Sequence, residues 1–559
     1  MNRAERSGAG HLVQALLVNG VRRVFCVPGE SYLSVLDALY EAREHIGLIT
    51  CRHEAAAANM AEATGKLTGE PGICFVTRGP GATHASIGVH TAFQDSSPMV
   101  IFIGQVARGW RHREAFQEVD YESMFAGLAK WVARIDDAAR IPEYVSRAFQ
   151  TAVNGRPGPV VLELPEDMLR DVVSAPEAPP CRRIAIAPPT GTLAQLSDRL
   201  ARAERPVAVL GGGGWTEQAC ADFQSFAERA DMPVTTSFRR KHLFDNQHPN
   251  YAGDVGLGIN PALAARLKEA DLVLAMGARL GENPSQSYTL FSIPQPENVL
   301  VHIHPCMEEL GRVYAAHEMI NATMPEMAAA LAGLEFSGPD RAGWTEAARD
   351  DYEKFRRPVQ VQGNVNLSRV FSELAERLPD DAIITNGAGN YAAWLHRFYR
   401  HRRFATQAGP ISGAMGYGVP AALAAKAAFP ERTVVCAAGD GCFLMSGQEL
   451  ATARQYGLNV IFLVVNNRSL GTIRMHQEQR YPGRVSGTDL VNPDFAAYAR
   501  SFGCAGLRVT RTEDFGAAFD EAAAAGRPAL IEIQTDAEDI APEKTLTGLQ
   551  ANAGMRISR

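Results

Sequence analysis

The chain has 559 residues, 46% of them apolar and 21% charged; at roughly 100–200 residues per domain, about three domains are expected, each with its own core. Lys and Arg number 55 against 62 Asp and Glu, a net charge of −7, which argues against wholesale binding to nucleic acid or to an anionic membrane surface. The longest apolar runs, such as Val460–Val465, fall far short of the ~18 residues of a membrane span. No apolar signal core opens the chain, and nine cysteines are scattered singly, so a cytoplasmic protein is expected.

Short Val- and Ile-rich runs alternate with Ala-rich stretches from end to end: VRRVFCVPG, GICFVTRGPG, PMVIFIGQV, GPVVLELP, RPVAVLGGGG, ADLVLAMGARL, DDAIITNGAG, RTVVCAAGDG and NVIFLVVNN. That order predicts an α/β chain of doubly wound parallel sheets with helices on both faces. A Pro-rich stretch at 174–192 and a charged, weakly periodic one at 333–363 predict linkers. The expected domains are therefore 1–173, 192–335 and 364–559. The segments CFVTRGPGATHASIGVHTAFQDSSPMVIFIG and VVCAAGDGCFLMSGQELATARQYGLNVIFLVVN share one plan of strand, Gly-x-Gly turn, amphipathic helix, break and strand. This reads as an internal repeat, although any two strand–helix units look alike.

In the first part, Arg52-His53-Glu54 lies between an apolar strand and the helix AAAANMAEATGKLTG. An unpaired Glu ahead of so apolar a helix is unusual; a Glu favoured by the helix dipole is the plain alternative. In the middle part, four glycines at 211–214 suit close approach of a phosphate. In the third, Gly439-Asp440-Gly441 follows one apolar strand and Asn466-Asn467 closes the next. One crossover helix brings consecutive parallel strand ends together, and open α/β sheets bind ligands at those ends. Asp440 and the Asn amide oxygens are hard ligands suited to Mg²⁺ bridging a phosphate. Gly441, opening a helix, admits phosphate to the backbone N–H groups. A plain turn explains Gly-Asp-Gly alone but not the pair of motifs at this spacing.

These residues resemble the motif of the thiamine-diphosphate-dependent enzymes, and nearly the whole chain resembles the acetohydroxyacid (acetolactate) synthase branch. The resemblance implies pyrimidine-binding, middle and diphosphate-binding domains, the first and third of one architecture. It implies that Asp440, Asn467 and the main chain of Ser469 hold Mg²⁺, and that Gly439, Gly441, Cys442, Leu470 and Gly471 surround the diphosphate with Asn390 and Tyr391. Glu54 would hydrogen-bond N1′ of the aminopyrimidine, the proton exchange that activates C2 of the thiazolium and needs a carboxyl in a dry site. Met415, beside Gly413, would be the apolar wedge under the cofactor; a core Met is the alternative. Gln117, in Phe-Gln-Glu, would reach the substrate unless it is only a solvated loop amide.

Three departures from the synthase pattern bear on chemistry. Glu30 stands where synthases carry a small residue and related 2-oxoacid decarboxylases an acid; it is either a second acid–base group or a capping Glu. His476 replaces the Trp of the acceptor pocket. His302-Ile303-His304-Pro305 replaces the acidic stretch of the flavin-binding domain, so that despite Arg279, FAD is not expected. The implied activity is decarboxylation of a 2-oxo acid with carboligation to a second carbonyl, in a homodimer or homotetramer. The alternatives are a non-ligating decarboxylase, a carbon–carbon lyase or hydrolase of the same superfamily, or a non-catalytic binding homologue.

Overall fold

A computed structural model of the chain describes residues 5–557. Its apolar runs become strands of three six-stranded sheets, parallel throughout. Strands covered on both faces have no polar alternation, and Met99–Gln105 and Pro159–Pro165 are buried at every position.

The first sheet runs, edge to edge, Gly47–Thr50, Arg23–Cys26, Gly72–Val76, Met99–Gln105, Pro159–Pro165, Trp131–Arg134. The third runs Gln407–Ala408, Ile383–Asn386, Val434–Gly439, Ile461–Asn466, Ala529–Gln534, Ala505–Val509. Numbered by sequence within each sheet, both read 2-1-3-4-6-5. The internal repeat is therefore a repeat of topology. The middle sheet runs Tyr251–Val255, Val234–Ser237, Pro206–Leu210, Leu272–Met276, Val299–His304, Glu318–Asn321, or 3-2-1-4-5-6.

The chain forms two compact units. One holds the first sheet, the chain through Ile184, together with Pro410–Pro430 and Ser446–Leu458; the other holds the middle and third sheets. The stretch 333–363, expected to be a linker, contains the helix Ala342–Phe355. Its buried Thr345, Ala348 and Tyr352 recur at helical spacing but are too few and too polar to register as periodicity. Buried Arg341, just ahead of it, donates to the carbonyls of Ala203, Ala230 and Leu200.

In the first unit, the helix Glu54–Thr68 is anchored by a buried cluster. Lys66 Nζ lies 3.2 Å from Glu62 Oε1 and also pairs with Asp95, all three side chains being 1% exposed or less. Ser97 Oγ and the Tyr417 hydroxyl donate to Glu62 at 2.6 and 2.5 Å, and Ile411 N donates to Asp95 Oδ1 at 2.8 Å. Both ends of the segment Ile411–Tyr417, which carries Met415, are thus tied to one charge cluster. Burial pushes the Glu62 carboxyl up, and Lys66 opposes it. Lys66→Met strands two buried carboxylates and is expected to lower the unfolding free energy by about 3–5 kcal/mol in urea titration; a loss below about 1 kcal/mol, the scale of an exposed pair, would contradict this anchoring.

Candidate active site

In the third sheet, the strand Ile383–Asn386 connects to a neighbour on one side and Val434–Gly439 to a neighbour on the other. The carboxyl ends of these two adjacent strands are the topological switch point, where such sheets open a crevice for ligands. The loop Gly387–Tyr391 leaves one strand there and Asp440 leaves the other. Gly439 pairs with Val465 in register, so Asp440 and Asn466 emerge side by side.

Asp440 is 3% exposed. Its Oδ1 accepts Gly441 N at 2.9 Å and its Oδ2 accepts Asn492 Nδ2 at 2.7 Å. The same Nδ2 donates to Asn466 Oδ1 at 2.9 Å, so Asn492 ties the two motifs together. Asn466 Nδ2 in turn donates to Glu532 at 2.8 Å, and Glu532 accepts Arg508 Nε at 2.9 Å. Burial pushes the Asp440 carboxyl up, opposed by hydrogen bonds from neutral amides; a cation bound here would supply a countercharge. Asn467 Oδ1 accepts Ser469 N at 3.1 Å. Arg468, between them, has φ of 55°, which turns successive carbonyls. The Ser469 carbonyl accepts Gly471 N at 2.8 Å, one of its two lone pairs. Leu470 N donates to Thr488 O and Leu490 N to Arg468 O, at 2.8 and 2.9 Å, bracing the turn. The donors are all oxygen, and they fit Mg²⁺.

The loop after Ile383–Asn386 is built around a buried ring. Gly387 N donates to the Tyr391 hydroxyl at 2.9 Å, which reaches Cys442 Sγ at 3.6 Å. A Cβ on Gly389 or on Gly439 would lie 2.9 Å from that ring, so both positions need glycine, and Tyr391 supports the loop from beneath. Asn390 Nδ2 donates to Ile540 O at 2.9 Å, and its Oδ1 accepts Thr472 Oγ1 at 2.8 Å. Gly471 lies close to Asn467: a Cβ there would be 3.2 Å from Asn467 Nδ2.

The first sheet repeats the pattern. Its switch point lies between Arg23–Cys26 and Gly72–Val76. Beyond the first strand a Cβ on Gly29 would sit 2.4 Å from Thr77 Cβ, and Ser31 Oγ lies 3.0 Å from Thr77 Oγ1. Glu30, which follows Gly29, is an exposed residue. The next strand over, Gly47–Thr50, ends in register with Cys26 and leads to Glu54. Thr50 N donates to the Tyr456 hydroxyl at 2.8 Å, Cys51 N to Cys26 O at 2.8 Å and Arg52 N to Glu449 at 2.9 Å. His53 Nδ1 accepts Ala55 N at 3.1 Å and caps the helix that Glu54 begins. The Glu54 side chain is 13% exposed, and its Oε2 lies 2.9 Å from His84 Nδ1. Gln117, with φ of 64°, accepts Gly79 N on its carbonyl at 3.0 Å and so holds the start of the helix that carries His84. Gly413 and Gly416 have φ of 69° and 78° on either side of half-buried Met415.

In the middle sheet, two of the four glycines at 211–214 pack closely against neighbouring chain. A Cβ on Gly211 would meet Ser237 Oγ at 2.3 Å, and one on Gly212 would meet Gly277 O at 2.1 Å, so close chain packing accounts for both glycines. His302 Nε2 lies 2.9 Å from Ala278 O, and His304 Nδ1 accepts Cys306 N at 3.1 Å. His476 is exposed on the helix Gly471–Arg480. Sequence reasoning missed Asn492 and His84; the first acts only through its three-dimensional position, and the second is a lone His on a helix.

The first and third sheets share one strand order, the third carrying an acid–amide oxygen set at its carboxyl end and the first a glutamate. Residues 6–124 match the N-terminal TPP binding domain of thiamine pyrophosphate enzymes, 193–331 the central domain and 387–533 the C-terminal TPP binding domain. The chain is 34% identical over 527 residues to the acetolactate synthase large subunit of Parasynechococcus marenigrum, covering 91% of this chain and 84% of that protein. It is 31% identical over 545 residues to the acetolactate synthase isozyme 2 large subunit of Escherichia coli, covering 95% and 96%. To the probable acetolactate synthase large subunit of Methanocaldococcus jannaschii it is 32% identical over 560 residues, covering 96% and 93%. The chain belongs to the thiamine pyrophosphate enzymes, and with them to the carboligases and decarboxylases that depend on thiamine diphosphate.

Asp440→Ala removes the charged member of the oxygen set. Wild-type protein loaded with thiamine diphosphate and Mg²⁺ is expected to keep the cofactor through gel filtration and the variant to lose it; equal retention would contradict the metal assignment.

Proposed function

We propose that the protein is a thiamine-diphosphate- and Mg²⁺-dependent enzyme that removes CO₂ from a 2-oxo acid and joins the remaining acyl unit to a second carbonyl. The observation that carries this reading is the buried Asp440 set beside Asn466-Asn467 at the switch point of the third sheet. Asp440, Asn467 and the Ser469 carbonyl would hold the metal. The backbone of Gly387–Asn390, Gly441, Leu470 and Gly471 would hold the diphosphate, where helix starts favour anions. When bound, thiamine diphosphate supplies an electron sink for cleavage next to a carbonyl.

The chain's own groups do the rest. Glu54, secured in the first turn of its helix, carries the proton exchanged with N1′ of the aminopyrimidine. Met415, on the segment clamped by the Lys66 cluster, is the wedge. Gln117 orients the substrate, and Glu30, exposed beyond the carboxyl ends of the same two strands as Glu54, handles later proton steps. The relatives are named acetolactate synthases, which favours ligation; the Glu30 carboxylate and His476 favour a second reading, plain decarboxylation. A homodimer or homotetramer is proposed, with no flavin in the middle domain and hence no flavin absorption band in the purified protein. Among the described residues no helix is long and apolar enough to cross a membrane; with nine free cysteines, a cytoplasmic setting is proposed.

The test is a panel of 2-oxo acids and carbonyl acceptors, with CO₂ release and product mass read together. CO₂ release that requires both thiamine diphosphate and Mg²⁺, with a product of donor minus CO₂ plus acceptor, is expected. Aldehyde alone would favour the second reading, and no CO₂ from any acid would overturn both. Glu54→Gln is expected to slow C2–H exchange of the cofactor in deuterated water about 10²–10⁴-fold. Glu30→Gln should leave exchange near normal and change the ratio of ligation to decarboxylation; equal slowing in both would contradict this division of roles.

A further inference from the structure

We infer that His84 is the positioning residue of Glu54, holding the carboxylate through its Nδ1–H. Glu54 sits in the first turn of the helix Glu54–Thr68, and His84 in the helix Gly79–Asp95. One turn further along each helix, Ala58 faces Gly88, where an added Cβ would lie 2.4 Å from Ala58 Cβ. Only glycine permits that approach, and the backbone contact fixes the spacing of the pair four residues earlier on both helices. There His84 Nδ1 stands 2.9 Å from Glu54 Oε2.

The ring is itself held. His53 and His84 have ring centroids 4.5 Å apart and tilted by 31°, and His53 is locked by its Nδ1, which accepts Ala55 N. In the inferred pairing Glu54 accepts, which requires the proton on His84 Nδ1. One carboxylate oxygen is then pinned. A side chain with three rotatable bonds becomes a fixed group, which acid–base work at a ring nitrogen requires. The inference rests on the reading that Glu54 exchanges a proton with the cofactor, and the test separates the two.

The first readout uses cofactor-free protein: ¹⁵N-edited NMR of the imidazoles reports which ring nitrogen bears the proton. Wild-type His84 is expected as the Nδ1–H form, reverting toward Nε2–H in Glu54→Ala; an Nε2–H ring in the wild type would overturn the inference. The second is C2–H exchange of thiamine diphosphate on the loaded protein. His84→Ala is expected to slow it about 10–100-fold, the scale of a misplaced catalytic group. His84→Asn, whose Nδ2–H can take the place of Nδ1–H, should restore it to near the wild-type rate. Normal exchange in His84→Ala with slow exchange in Glu54→Gln overturns the role of His84 and leaves that of Glu54 standing. Normal exchange in Glu54→Gln overturns both.

Discussion

A carboxyl group buried at the mouth of a sheet is the constraint around which the third domain is organised. Asp440 lies where burial disfavours its ionised form, and its neighbours are arranged to accept it: Gly441 N, Asn492 Nδ2 and the turn at Arg468. Neutral amides soften that cost without cancelling it. The divalent cation proposed for this site would offset the rest and would bring with it the anionic group that completes its shell. The Tyr391 ring under Gly389 and Gly439, the brace of residues 488–490 and the Glu532–Arg508 pair behind Asn466 all keep this arrangement rigid.

The first sheet uses the same strand order for a different task. Its switch point carries no buried acid–amide set; the neighbouring strand end instead delivers Glu54 into a turn fixed by Glu449, Tyr456 and His53. The helix behind Glu54 is anchored by Lys66, Glu62 and Asp95. The same cluster holds Ile411 and Tyr417, on either side of Met415, so the segments that carry Glu54 and Met415 share one support.

Much of this was legible in the chain. Strands covered on both faces announce themselves as unbroken Val and Ile runs, and the chemistry follows them directly, as at Gly439-Asp440-Gly441 and Asn466-Asn467. Edge strands were harder to read: Trp131–Arg134 and Ala505–Val509 are short and half-exposed, so neither periodicity nor composition marks them. The helix Ala342–Phe355 buries too little apolar surface to stand out among its charges. Gly211 and Gly212 also answer to close chain packing, which only folding reveals. His84 and Asn492 act through neighbours distant in sequence, Glu54 at 30 positions and Asp440 at 52, and no local pattern encodes such pairings.

In the proposed site, the oxygen set at Asp440 and Asn467 grips a diphosphate through a metal. Calorimetric titration of thiamine diphosphate and of unphosphorylated thiamine into the cofactor-free protein, with and without Mg²⁺, tests it most directly. Tight binding of thiamine diphosphate is expected only when Mg²⁺ is present, with no comparable binding of thiamine under either condition. Equal affinity for thiamine diphosphate without Mg²⁺, or for thiamine itself, would contradict it.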